Sequence, residues 1–129
     1  MREKAQLWIT VSNREESMAR VLSRSDYNEG AVLHAHRAAG MALIAVFAER
    51  GWAHTSDRCA DLCSMLEAHD IAATAEVRRA AEVLDRHAEK ADPERAGRPP
   101  AQVCDAEVAA ECLGAVKVVR GFVNTVLTR

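Results

Sequence analysis

The apolar positions of this chain crowd into residues 27–50, where the only polar side chains between Glu29 and Glu49 are His34, His36 and Arg37. At about 100° per residue, Tyr27, His34, Ala38, Met41 and Ala45 share one face, and Val32, Leu33, His36, Gly40, Leu43 and Phe47 share the opposite one. A helix apolar on nearly every side has to be enclosed. The uninterrupted run Ala38–Ala48 is too short for a bilayer, which takes about 20 apolar residues. The pattern therefore predicts the central helix of a soluble bundle, about 35 Å long at about 1.5 Å per residue. Gly40, unfavourable within a helix, implies close approach by a neighbouring helix.

Other segments carry single stripes at alternating three- and four-residue steps. Residues 3–24 place Trp8, Val11, Glu15, Met18 and Leu22 on one stripe. Residues 57–69 do the same with Cys59, Leu62, Cys63 and Leu66, capped by Thr55 or Ser56. Residues 71–90 align Ile71, Val77, Ala81, Leu84 and Ala88, with Arg86 and His87 near the end complementing the helix dipole. A last helix runs from a cap at Asp105 to about Leu127 through Val108, Cys112, Ala115, Val119, Phe122 and Val126. Ser25-Asp26-Tyr27-Asn28 is a turn, Gly51 ends the second helix, and all three prolines fall in the loop 91–103. Short loops make sequential helices antiparallel neighbours. The expected architecture is all-α: an up-and-down four-helix bundle with one additional short helix, in a single domain over residues 1–129. The second and last helices offer enough apolar surface to predict a homodimer, since two-fold dimers are the commonest oligomers.

Composition supports this class. The chain of 129 residues is 49% hydrophobic but only 4% aromatic, with few β-branched clusters to build a sheet. Its formal net charge of −2 provides no global attraction for nucleic acid, so any such contact has to be local. The N-terminal MREKAQLW has no apolar core of a secretory signal, which predicts a cytoplasmic protein without membrane attachment. The cysteine pairs 59/63 and 104/112 have helical-face spacing rather than the close pairs of zinc sites. Reduced core cysteines and no metal or cofactor are expected.

The candidate chemistry is local. His34 and His36 lie about 200° apart and cannot bind one metal from a regular helix. His36 reads as a hydrogen-bonded core histidine. His34 and Arg37, about 60° apart, can line one groove. Glu15 breaks an otherwise apolar stripe, and a buried carboxylate needs a partner. The expected ligand-binding groove therefore lies between the first two helices, with Glu15, His34 and Arg37 meeting across it. His54 in the loop after Gly51, and Arg95 and Arg98 in the proline loop, are further candidates. No phosphate-binding glycine loop, zinc-protease motif or nucleophile elbow occurs.

With these residues in view, the chain resembles the HEPN family (higher-eukaryote and prokaryote nucleotide-binding domains). The match begins with Trp8 and Glu15 seven positions apart, followed by Asp26-Tyr27. It continues through Ala31, His34, Ala35, Ala38, Ala39, Ala42, Leu43 and Ala45 to Arg50-Gly51, with Leu84-Asp85-Arg86 near the end of a later helix. The resemblance implies a small helical bundle acting as a nucleotide-binding or accessory protein beside a separately encoded nucleotidyltransferase, or as a toxin–antitoxin component. Two departures stand out. His36 and Arg37 occupy places where many members carry two glutamines, and Gly40-Met41 replaces a usual Glu-Lys pair. The ribonuclease branch also carries an Arg and a His separated by four to six intervening residues, a spacing this chain lacks, since only three residues lie between Arg50 and His54 and seven between Arg79 and His87. An RNA-cleaving toxin with non-standard Arg and His placement is one alternative reading, and a purely structural dimer is another.

Overall fold

The computed structural model describes residues 1–92 and 104–129. Five helices span the described residues: α1 (Glu3–Arg24), α2 (Asn28–Arg50), α3 (Cys59–Glu67), α4 (Ala75–Ala91) and α5 (Ala106–Leu127). Expected Arg95 and Arg98 lie outside the described residues.

Local chemistry fixes most helix ends. Asp26 adopts φ 61° in the turn between α1 and α2, and Gly51 adopts φ 70° after α2. That left-handed glycine lets the Trp52 N–H reach the Phe47 carbonyl at 2.9 Å. Thr74 caps α4 by accepting from the Val77 N–H at 3.2 Å, and Asp105 caps α5 through Val108 at 2.9 Å. Two starts differ from the sequence reading. Residues 68–70 form a turn and 71–74 an irregular link ahead of α4, because Asp70 at φ 63° closes the end of α3 and the Ile71 N–H returns to the Leu66 carbonyl. Neither Thr55 nor Ser56 caps α3. Its N-cap is Arg58, which offers no side-chain acceptor, while Ser56 binds the Arg58 N–H and Asp61 instead.

Helix α2 is the centre of the fold and packs on every other described helix. Ala31, Ala35, Ala38, Ala39, Leu43, Val46 and Phe47 are all fully buried. By length and apolarity α2 would pass as a membrane span, but most of it is enclosed by the bundle. The largest helix interface is α1 on α2, and here the expected stripe is wrong. Val11 and Met18 are exposed, whereas α1 buries Ala5, Ser12, Glu16 and Ala19. The alanines of α2 leave room only for small side chains opposite, so α1 turns its bulky apolar residues outward. Ser12 closes the seam by donating its hydroxyl to the Ala38 carbonyl at 2.7 Å. Buried Glu16 is paired with Arg20 and with Arg120 of α5, which ties the two outer helices together.

All four cysteines are free and buried. Burial, reinforced for Cys59 by the nearby Asp85 charge, pushes the Cys59 thiol well above its ordinary value. Burial likewise raises Cys63 to about 11 and Cys112 to about 12. Thiolate is the reactive form. The folded protein at pH 8 is therefore expected to leave these thiols unmodified by a disulfide reagent, and denaturant to expose all four. Rapid labelling of the native chain would contradict the buried arrangement.

Candidate functional site

One side of α2 escapes full coverage by the other helices. A cleft of about 450 Å³ opens there, bounded by α1, α2, the segment before α3 and the end of α4. Trp8, Leu33, Met41 and Ile44 give it an apolar floor, and Arg37 and Arg58 stand at its rim with Asp57, Glu89 and Asp92. Gly40 also faces it. A Cβ there would meet only the Asp57 carbonyl at 3.8 Å, so the close neighbour is a loop backbone rather than the expected helix, and an alanine would fit.

At the inner end of the cleft a single carboxylate organises three elements. Asp85 of α4 is buried. Its Oδ1 accepts from His36 Nε2 and from the Cys59 N–H, each at 2.8 Å. Its Oδ2 accepts from the Ala60 N–H at 2.9 Å. Asp85 is thus the cap that α3 lacks in its own sequence, supplied from another helix to the first free N–H groups. Burial alone would raise the Asp85 carboxyl, but the bonds from His36, Ala60 and Cys59 together outweigh it and hold the group below its ordinary value. An ionised Asp85 can only accept, so His36 carries a proton on Nε2.

His36, Cys59 and Asp85 place their potential ligand atoms within 4.8 Å of one another. Hydrogen bonding accounts for the cluster. Asp85 accepts three bonds, and the protonated Cys59 thiol donates to the His36 carbonyl at 3.9 Å.

The sequence candidates are only partly brought together. Glu15 and His34 form the expected contact between α1 and α2, Oε2 to Nδ1, with both side chains mostly covered. Arg37 does not join them. It is exposed, points to the cleft and forms no ion pair among the described residues, because His34 already takes the Glu15 carboxylate. His54 is exposed and rests edge-on against Phe47 at 5.9 Å between centroids. It belongs with Trp52, which stacks on His69 at 3.7 Å and lies beside Arg50, a clip between two loops. Sequence reasoning missed Asp85 and Arg58 as site residues and read His36 as core. The available signal was Asp85 itself, a carboxylate sharing a face with buried Ala81 and Ala88.

A family model for the HEPN domain matches residues 5–126, nearly the whole chain. The chain belongs to the HEPN family. Its HEPN fold is closely similar to the crystal structure of TT1696 from Thermus thermophilus, with a TM-score of 0.89 at 22% identity over 97% of this chain and 99% of that one. It is also similar to ST0689, an archaeal HEPN homologue, with a TM-score of 0.79 at 18% identity over 97% and 98%. No curated protein sequence matches the chain.

Proposed function

We propose that this HEPN domain is a nucleotide-binding accessory protein and that its ligand occupies the cleft beside His36. The observation that carries this reading is the pair of exposed arginines, Arg37 and Arg58. Both stand over an apolar floor that includes Trp8, and neither has an ion pair among the described residues. A guanidinium suits a phosphate because its planar fork donates two parallel hydrogen bonds. An indole and aliphatic floor suits a base ring, and the carboxylates of Asp57 and Glu89 suit exocyclic amine or ribose donors. The volume falls within the range of about 300–1,000 Å³ common for small-ligand sites. In this reading the domain works in the cytoplasm beside a nucleotidyltransferase encoded separately, presenting a nucleotide or RNA end.

The test is calorimetry with mononucleotides and short RNA. Arg37→Ala, at an exposed position, is expected to weaken binding at least tenfold, about 1.4 kcal/mol, while leaving the unfolding curve in place. A parent protein that binds none of these ligands at millimolar concentration would reject the reading.

The same cleft favours a second reading, metal-independent RNA cleavage, because His36 held by Asp85 lies beside Arg37 and Arg58. His36 alone would have to supply both proton removal and leaving-group protonation, where cleavage gains from two positioned groups. The expected activity of the isolated chain on generic RNA is weak or absent. Robust cleavage abolished by His36→Ala in a folded variant would promote this reading over the first.

A further inference from the structure

The hydrogen bonds at the inner end of the cleft hold together three donor atoms of the kinds that bind a borderline-soft cation. His36 Nε2, Cys59 Sγ and an Asp85 carboxylate oxygen all lie within 4.8 Å of one another. They come from α2, α3 and α4, so the helical-face spacing that speaks against zinc along one helix has no bearing on them. His34 is turned to Glu15 and stays apart. Each donor is already oriented. The Cys59 N–H fixes Asp85 Oδ1 and the Ala60 N–H fixes Oδ2, bonds of the kind that orient a ligating carboxylate. Cys59 is the first residue of α3, where the helix dipole favours a thiolate. His36 and Asp85 both line the cleft, which gives an ion its way in.

We infer that His36, Cys59 and Asp85 form a zinc-binding site whose fourth position opens toward the cleft. A thiolate, an imidazole and a carboxylate are the donor types of zinc, and three protein ligands with water in the fourth place is the pattern of its open sites. The ion takes the Oδ1 lone pair that otherwise accepts from His36. The bonds from Cys59 and Ala60 remain, so the cap on α3 survives. Tetrahedral bonds of about 2.0–2.2 Å set a ligating nitrogen and oxygen about 3.3 Å apart, against 2.8 Å between His36 Nε2 and Asp85 Oδ1. Those two groups part by about half an ångström, and Sγ closes to about 3.6 Å from each. The protons balance. Cys59 gives its thiol proton to solvent, because a coordinating thiol is deprotonated outright. The Nε2 proton of His36 moves to Nδ1, or leaves if the ring is an imidazolium. No redox change is involved, and the site stands whatever organic ligand the cleft takes.

Titration of the untagged, chelator-stripped full chain with Co²⁺ at tens of micromolar is expected to raise a thiolate-to-cobalt charge-transfer band. The band should saturate at one ion per chain and vanish when Zn²⁺ is added. Cys59→Ser is expected to remove it and to weaken zinc binding beyond the roughly 10–100-fold that loss of a second-shell partner costs. His36→Ala should weaken zinc binding as much, whereas Cys63→Ser, Cys104→Ser and Cys112→Ser should leave band and affinity in place. X-ray absorption of the zinc-loaded parent needs no variant. It should show one sulfur at about 2.3 Å among nitrogen and oxygen donors at about 2.0–2.2 Å. Absence of the cobalt band would overturn the site, as would a band that survives Cys59→Ser or follows another cysteine. A zinc spectrum without sulfur would put the ion on the rim carboxylates Asp57 and Glu89 instead, and would overturn it too.

Discussion

Replacing Asp85 by alanine is expected to lower the stability of the folded chain by about 3–5 kcal/mol, because the buried donors it satisfies are left without an acceptor. Three donors lose their acceptor at once: the His36 ring N–H and the backbone N–H groups of Cys59 and Ala60. An unsatisfied buried donor costs about 1–3 kcal/mol, and water entering from the cleft offsets part of that. Asp85→Asn keeps an oxygen but replaces the acceptor facing Ala60, or the one facing His36, by an NH₂ group. It should therefore fall between the parent and the alanine variant. The pH dependence has a definite sign. The folded Asp85 carboxyl lies below its ordinary value of 3.8, so its contribution is complete above that value. It is lost progressively as pH falls past 3.8 and through the folded value. Urea unfolding of parent and Asp85→Ala should differ most near neutrality and converge in acid. A difference below about 1 kcal/mol at pH 7, where a typical single hydrogen bond contributes as much, would show that Asp85 does not organise the three elements.

The expected stripe on α1 failed for a reason that also explains why α2 was legible. Periodicity weights large apolar side chains, and on α1 two stripes compete. Trp8, Val11, Met18 and Leu22 dominate a hydrophobic count, yet Val11 and Met18 are exposed and the stripe with Ala5, Ser12 and Ala19 is the buried one. The inner face was set by its partner. Once α2 presents alanines, close helix contact at the lower end of about 8–10 Å between axes requires small residues opposite. For α2 no such choice existed, because nearly every face is apolar and burial followed whatever its neighbours did.

The site was legible only in halves, because its parts come from different helices. Glu15 and His34 announced themselves as polar groups on apolar stripes, and they do pair. Arg37 was grouped with them from the angle it makes with His34. The fold instead spends Glu15 on His34 and leaves Arg37 over the cleft. Asp85 caps a helix starting 26 residues earlier in the chain, a relation that no local cap signal contains. Thr55 and Ser56 were plausible caps by residue type. They failed because the helix begins at Cys59 and the Ser56 hydroxyl is taken up by the Arg58 N–H and the Asp61 carboxylate.

Phe47→Ala is expected to cost about 3–5 kcal/mol, the usual range for truncating a buried aromatic side chain. Phe47 is the largest side chain that the described residues enclose completely. Its ring meets Trp52 edge-on, with centroids 6.4 Å apart, and His54 in a similar way at 5.9 Å. Those contacts hold the loop after Gly51 against the end of α2, and Trp52 in turn stacks on His69. The same loop continues to Asp57 and Arg58 at the rim of the cleft. Truncation therefore leaves a cavity in the core and releases the loop that positions Arg58. Two readouts should move together: the urea midpoint should fall, and the near-ultraviolet dichroism of Trp52 should weaken as its ring gains freedom. Phe47→Leu refills most of the volume without restoring the edge contacts. It should recover much of the stability but little of the Trp52 signal, because aromatic pairs contribute only about 0.5–1.5 kcal/mol beyond area burial. Recovery of the spectral signal with leucine would show that volume alone, rather than the aromatic contacts, fixes the loop.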